Sequence, residues 1–298
     1  MKKTLIIFFF ILIGVFVGLS LADHKSEYIA EKNLWKINKK FNSVTRDTEN
    51  IPENSLNQLL SDYEKFIIKF PNSNLLSQAH IFVGRLYVYK KDIESAREKF
   101  EETIRIFNSI PIVVVKALKE IIHTYKLEND VPNVIKSYER VMKDYPLTSL
   151  GLEAPLRIVK LNQKLNSPQA QKSFNAAITH YKGLIQSYPD SLIEYKVQQL
   201  LATIYLTKQE WKKAVNTYGE VLIRFSEPHY LTPAKADALT KSINTLAVFQ
   251  LNDFDLPVSI YKKFLIAHPN HPFSQRLKEI IIELGKMKEQ SSTDAVTK

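Results

Sequence analysis

Residues 79–111 read AHIFVGRLYVYKKDIESAREKFEETIRIFNSIP, which predicts two helices joined by a short turn. In the first helix Gly84 precedes Tyr87 by three positions, which leaves room for a close helix crossing beside a large side chain. The second helix carries an apolar face with i, i+3, i+7 spacing, formed by Ile93, Ala96 and Phe100. Pro111 follows the second helix, so the stretch describes one antiparallel helix pair.

The second helix of this pair recurs along the chain. Its leading aromatic residues are Tyr63, Phe100, Tyr138, Tyr181, Tyr218 and Tyr261. They are separated by 37, 38, 43, 37 and 43 residues. In four copies a proline stands eight positions after the aromatic residue, and a polar residue after it can cap the next helix, as the sequences Pro71-Asn72-Ser73 and Pro189-Asp190-Ser191 show most clearly. Helix pairs of this kind cannot bury their apolar faces alone, so we expect them to stack.

These motifs resemble the tetratricopeptide-repeat family, whose period is ~34 residues. The resemblance covers roughly residues 55 to 270 and is most specific in residues 79–111 and 197–228. It implies an all-α fold, a right-handed superhelical solenoid of antiparallel helix pairs that binds other macromolecules. The repeat ending looks most like those of two bacterial envelope proteins, the outer-membrane assembly lipoprotein and the periplasmic partner of the Tol–Pal system. The first carries a lipidated cysteine, which this chain lacks.

The chain before and after the repeats divides by composition. We expect a signal peptide or signal anchor over residues 1–22, an N-terminal helix and loop over 23–54, and repeats over 55–270. We expect a capping helix over 271–287. The polar tail over 288–298 is predicted to be disordered. In the N-terminal helix, Trp35 belongs to an apolar stripe and is interpreted as a core residue packed against the following helix.

The first residues of the chain predict export. Lys2 and Lys3 precede an apolar stretch, and small residues stand at Ser20 and Ala22. This pattern fits a secretory signal cut after Ala22, and the length of the stretch also fits an uncleaved anchor. Both alternatives place the remaining chain outside the cytoplasm, either in the periplasm or held in the inner membrane and facing the periplasm.

The composition excludes several kinds of site. The 298 residues contain no cysteine, so disulfides, thiolate zinc sites and cysteine nucleophiles are excluded. Glycine occurs 7 times, which argues against glycine-rich phosphate loops. The formal net charge of +10 attracts acidic partners, although surplus lysines also serve solubility.

No catalytic motif appears, so the prediction is a non-enzyme without cofactor or metal. His268 and His271 lie close together in a loop, but further metal ligands are missing.

The leading function is an adaptor that binds envelope proteins. The alternative is an envelope enzyme or enzyme accessory that binds peptidoglycan or another acidic polymer, and a membrane surface is a further possible partner. The export signal and the absence of a recognition motif disfavour nucleic acid.

The family resemblance places the binding surface on a concave face, lined by the first helix of each pair. The residues that it assigns to this face are Arg85, Tyr89, Lys116, Lys119, His123, Lys126, Lys196, Gln199 and Thr203. Lys116, Lys119, His123 and Lys126 have i, i+3, i+7, i+10 spacing and form one positive stripe. The alternative interpretation of the stripe is an ordinary solvated helix face.

Overall fold

The computed structural model describes residues 12–15, 27–47 and 51–296. The predicted signal or anchor segment lies outside the described residues, except for residues 12–15, which are helical and exposed. Within the described ranges, no helix is long and apolar enough to cross a membrane.

From residue 27 to 296 the described residues form thirteen α-helices and no strand. The helices are α1 Glu27–Val44, α2 Glu53–Lys69, α3 Leu76–Tyr89, α4 Ile93–Ile106, α5 Pro111–Leu127, α6 Val131–Asp144, α7 Ser149–Lys164, α8 Ala170–Ser187, α9 Leu192–Thr207, α10 Trp211–Arg224, α11 Pro233–Asn244, α12 Asp255–Ala267 and α13 Ser274–Val296. A π-helical segment, Thr245–Gln250, continues α11. The predicted all-α fold is confirmed.

The chain divides into two compact units, residues 1–141 and residues 142–298. In unit 1, α1 packs on α2, α2 on α3, α3 on α4 and α4 on α5. In unit 2, α7 packs on α8, α8 on α9 and α9 on α10, while α10 contacts α11 and α12 and α12 contacts α13. First helices of neighbouring pairs also touch, α3 with α5 and α7 with α9. This succession of packed helix pairs is the arrangement of a tetratricopeptide-like helical solenoid.

Five of the six repeated aromatic residues are buried core residues, as the spacing predicts, and the sixth, Tyr218, is partly buried against the core. Tyr63, Phe100, Tyr181 and Tyr261 are fully buried, and Tyr138 is nearly so. Three of the tyrosine hydroxyls also donate to the first helix of their own pair: Tyr63 to Asn38 Oδ1 (2.7 Å), Tyr181 to the Leu152 carbonyl (2.8 Å) and Tyr261 to Asn244 Oδ1 (2.6 Å). Burial raises the pKa of these hydroxyls, so they remain protonated donors. Each such tyrosine therefore joins the two helices of its pair.

Gly84 marks the close crossing that the sequence predicts between α3 and α4. A Cβ atom at this position would lie 2.4 Å from Cε1 of the buried Phe100 ring, closer than real carbon contacts allow. The absence of a side chain at Gly84 therefore lets the Phe100 ring pack directly on the α3 backbone.

The turns inside the pairs share a backbone feature that the sequence analysis missed. The residues that carry it are Lys91, Asn129, Asn166, Gln209 and Asn252, and all have φ between 48° and 62°. Such a left-handed residue usually ends a helix as glycine, or as asparagine. This glycine-poor chain uses asparagine or a long polar residue instead. The recurring asparagines were the available signal.

Two parts of the structure differ from the sequence predictions. Trp35 is 61 % exposed, because the buried stripe of α1 is formed by Ala30, Leu34 and Phe41 on the other side of the helix. At the C-terminus α13 continues to Val296, through most of the tail predicted to be disordered. Lys288 Nζ lies 2.7 Å from an Asp255 carboxylate oxygen, and this ion pair joins the first part of that segment to α12.

Candidate functional site

In unit 1 the predicted positive stripe is a single exposed face of α5. We call it the basic face, and its residues are Lys116, Lys119, His123 and Lys126, all exposed. The opposite side of α5 is buried through Val114, Ala117, Leu118, Ile121 and Ile122. Since these apolar residues anchor α5 in the core, the four basic-face side chains point into solvent.

The members of the basic face differ in their contacts. Lys126 Nζ donates to the Tyr138 hydroxyl at 3.1 Å and lies 5.5 Å from the centre of its ring. Lys116, Lys119 and His123 form no hydrogen bond or ion pair with the described residues. The ammonium groups of Lys116 and Lys119 are therefore available to an acidic ligand.

Arg85 and Tyr89, the two predicted binding residues of α3, are already engaged. Arg85 Nε donates to Glu120 Oε1 of α5 at 3.0 Å, and its guanidinium lies 5.4 Å from the Phe82 ring. The Tyr89 ring packs 5.8 Å from Phe41 of α1. Sequence reasoning missed Glu120. An available signal was its position 35 residues after Arg85, about one repeat later.

In unit 2 the structure brings Lys196, Gln199 and Thr203 together in one cleft of about 450 Å³, which we call the polar groove. Its lining comes from α7, α9 and the start of α11. The lining residues are Ser149, Leu152, Glu153, Tyr195, Lys196, Gln199, Leu200, Thr203 and Lys235. Sequence reasoning found the three residues of α9 and missed those from α7 and α11, because only helix packing brings them together.

The polar groove combines apolar lining with separate polar groups. Gln199 Nε2 donates to the Tyr195 carbonyl at 3.1 Å, which orients its amide. Lys235 Nζ donates to the Tyr230 carbonyl at 3.0 Å and lies 5.6 Å from the Tyr195 ring. Lys196 is exposed and has no carboxylate partner among the described residues. These groups can hydrogen-bond a peptide backbone and pair with an acidic side chain while Leu152 and Leu200 contact apolar groups.

A buried carboxylate holds the start of α9, the helix that supplies most of the groove. Ser191 caps α9 by accepting from the Glu194 amide. The Glu194 side chain, 1 % exposed, accepts from the Asp190 amide (2.6 Å), from Gln198 Nε2 (2.7 Å) and from the Arg224 guanidinium of α10. The Ser-x-x-Glu spacing of a capping box was a sequence signal for this arrangement.

No group of three or more potential metal ligands occurs among the described residues. His268 and His271 are instead hydrogen-bonded to the end of α10. His268 Nε2 lies 2.8 Å from the Ile223 carbonyl and His271 Nε2 lies 3.0 Å from the Ser226 carbonyl. The second ring nitrogen of His271 accepts from the Phe273 amide at 3.1 Å. Both histidines therefore fasten the loop between α12 and α13.

Comparison with known proteins gives structural likeness without sequence relatives. No family model matches the chain, and no curated protein matches it. The solved structures that it is similar to include tetratricopeptide-repeat proteins. One is the C-terminal part of a repeat protein from Cytophaga hutchinsonii, with a TM-score of 0.46, 14% identity and coverage of 89% of this chain and 92% of that one.

Two other solved structures are similar over most of their length. BtubC from P. vanneervenii has a TM-score of 0.43 and 12% identity over 82% of this chain and 92% of that one. The TPR2AB domain of yeast Sti1, in its complex with pHSP90, has a TM-score of 0.36 and 9% identity over 87% of this chain and 100% of that one. Because these TM-scores are low, the fold assignment is based on the packing of successive helix pairs in this chain.

Proposed function

We propose that this protein is a non-catalytic adaptor of the bacterial cell envelope that binds an extended or helical protein segment along the first helices of its repeats. The polar groove of unit 2 carries this proposal. It is a cleft in which three predicted binding residues, one of them the unpaired Lys196, converge with apolar side chains. Such a mixture suits a peptide better than a small metabolite, because its polar groups are spread along α9.

The envelope location is supported by the N-terminal sequence. Two lysines, an apolar stretch and small residues before Asp23 fit a signal peptide or anchor, and both place the repeats outside the cytoplasm. The repeat ending that resembles those of envelope tetratricopeptide-repeat proteins agrees with this location.

A site-specific cross-linking experiment tests the proposal. A photo-reactive phenylalanine analogue replaces Gln199 in the polar groove and, as a matched control, Glu220 on the exposed side of α10. In native cells, irradiation of the Gln199 variant is expected to yield one or a few defined protein adducts that the Glu220 variant lacks. Equal adducts at both positions, or none at Gln199, would overturn the groove assignment.

The same variant series gives a quantitative check. Lys196→Glu reverses the unpaired charge of the groove. It is expected to lower the affinity for the captured partner about tenfold or more, since the loss of a hot-spot residue costs at least this much. Lys212→Glu makes the same charge change on the exposed surface of α10 and is expected to leave the partner bound.

A second candidate, binding of peptidoglycan or another acidic polymer, is favoured by the basic face of unit 1. Lys116 and Lys119 are exposed and unpaired among the described residues, as polymer binding requires. A triple variant in which glutamate replaces Lys116, Lys119 and Lys126 is expected to lose binding of the acidic polymer and to remain folded. Sedimentation with purified peptidoglycan at low and moderate salt separates the two candidates, because only a polymer binder co-sediments without a protein partner.

A further inference from the structure

The outward face of α1 carries two large aromatic rings that the core does not use. Tyr28 is 66 % exposed and Trp35 is 61 % exposed. Together with Lys32 and Lys39 they follow i, i+4, i+7, i+11 spacing, so the four side chains form one stripe. We call this stripe, with the adjacent Lys36, the aromatic face of α1.

The aromatic face is positively charged. Lys39 Nζ lies 5.2 Å from the Trp35 ring. Lys32, Lys36 and Lys39 have no carboxylate partner among the described residues, and Glu31 is the acidic residue beside them. Lys40, by contrast, is held by Asp62 of α2 at 2.8 Å. The lysines of the aromatic face are therefore free to bind anions.

The fold of unit 1 does not require these aromatic rings. Ala30, Leu34 and Phe41 are buried on the opposite side of α1, where it packs on α2. Tryptophan and tyrosine exposed in this way are typical of a membrane–water interface, where the ring meets apolar groups and its polar atom meets water.

The position of α1 in the chain points to the partner. Glu27, the first residue of α1, stands five positions after Ala22, where the apolar N-terminal stretch ends. Five extended residues reach at most about 18 Å. In a chain that retains this stretch as an anchor, α1 therefore starts beside the membrane from which the chain emerges. This step depends on the proposed envelope location.

We propose that the aromatic face of α1 is a docking surface for anionic phospholipid membranes. Tyr28 and Trp35 lie at the level of the headgroups, and Lys32, Lys36 and Lys39 contact lipid phosphates. An interfacial helix with lysines on its polar side and aromatic rings beside them binds in this way. Each lysine near an anionic surface strengthens binding about fivefold.

Tryptophan fluorescence of the full chain tests the proposal. The sequence contains two tryptophans, so Trp211→Phe leaves Trp35 as the only reporter and Trp35→Phe leaves Trp211 as the control. Each variant is reconstituted into phosphatidylcholine vesicles with or without phosphatidylglycerol. Compared with neutral vesicles, the anionic vesicles are expected to shift Trp35 emission to shorter wavelength and to lower the quenching of Trp35 by acrylamide severalfold. Lipids brominated on the acyl chain are expected to quench Trp35. Trp211 is expected to respond to neither vesicle composition nor brominated lipid.

Charge variants in the Trp35 reporter show whether the lysines are responsible. Replacement of Lys32, Lys36 and Lys39 with glutamate is expected to restore acrylamide access in anionic vesicles. Replacement of the exposed Lys212, Lys262 and Lys263 with glutamate makes the same net charge change and is expected to have no effect.

Three results would overturn the proposal. Equal acrylamide access of Trp35 in neutral and anionic vesicles would exclude anionic lipid as the ligand. Shielding that depends on protein concentration would assign the face to a second copy. Shielding in neutral vesicles at every concentration would assign it to the N-terminal apolar segment of the chain itself. The vesicle measurement needs no partner protein, so its failure leaves the cross-linking test of the polar groove unaffected.

Discussion

Both units contain an arginine–glutamate pair that joins two helices, but they bury the carboxylate to different extents. In unit 1, Arg85 of α3 pairs with Glu120 of α5, whose side chain is 13% exposed. In unit 2, Arg224 of α10 pairs with Glu194 of α9, whose side chain is 1% exposed and also accepts from the Asp190 amide and Gln198.

The difference in burial between Glu120 and Glu194 distinguishes a charge that holds the fold together from a region whose charges are available to a ligand. A buried carboxylate that accepts several hydrogen bonds cannot lose them without leaving donors unsatisfied. Glu120 is partly exposed and accepts from Arg85 alone among the described residues, so it can exchange this partner for water at a lower cost. Glu194 is therefore part of the framework under the polar groove, whereas the basic face beside Glu120 keeps lysines free for binding.

Removal of the two carboxylates gives the largest expected contrast. Glu194→Ala is expected to lower the free energy of unfolding by about 3 kcal/mol, because it leaves the Asp190 amide and Gln198 Nε2 without their acceptor. Arg224 then keeps only the exposed Asp190 carboxylate as its partner. Glu120→Ala is expected to cost about 1 kcal/mol or less. Urea unfolding followed by circular dichroism measures both. A cost at Glu120 equal to that at Glu194 would contradict the distinction between the units.

Glycines within helices also differ in their surroundings, and Gly84 and Gly183 give the clearest contrast. Gly84→Ala in unit 1 places a Cβ atom 2.4 Å from the Phe100 ring, and the overpacking is expected to destabilise the protein by about 1–3 kcal/mol. Gly183→Ala in α8 of unit 2 meets no atom within 4 Å and is expected to stabilise the protein by about 0.5–1 kcal/mol. Melting temperatures that move in opposite directions would confirm the contrast. A neutral Gly84→Ala would show that Phe100 can move aside.

The smallest expected effect concerns pH. Burial lowers the pKa of His180 in unit 2, and burial also lowers the pKa of His80 in unit 1, where the nearby Glu102 opposes the shift. A histidine with a lowered pKa contributes stability that is complete above its ordinary pKa of about 6.5 and is lost as the pH falls towards the folded-state pKa. Between about pH 7.5 and pH 5.5 the protein is therefore expected to lose stability.

Histidine variants identify the residue responsible. His180→Phe is expected to reduce the loss of stability on acidification more than His80→Phe, because burial alone lowers the pKa of His180, whereas Glu102 opposes the effect of burial on the pKa of His80. Urea midpoints at the two pH values measure this. An equal pH dependence in both variants and the parent would mean that other groups control acid stability.

The candidate site was partly predictable from the sequence. The basic face follows from helical spacing alone, since Lys116, Lys119 and Lys126 share one side of any helix that contains them. The family resemblance also assigned Lys196 and Gln199 to the binding face, and the structure brings them together on α9. The sequence did not reveal that Lys235 and Glu153 join them in the polar groove, because those residues lie on other helices.

The sequence by itself determined the helix pairs, their period and the buried aromatic residues, because these depend on spacing within one or two turns of helix. Only the tertiary structure showed that Glu120 neutralises Arg85, that Glu194 is buried and that Trp35 faces outward. These outcomes depend on which helices pack together. Packing brings side chains that lie about 30 residues or more apart in the chain within hydrogen-bonding distance.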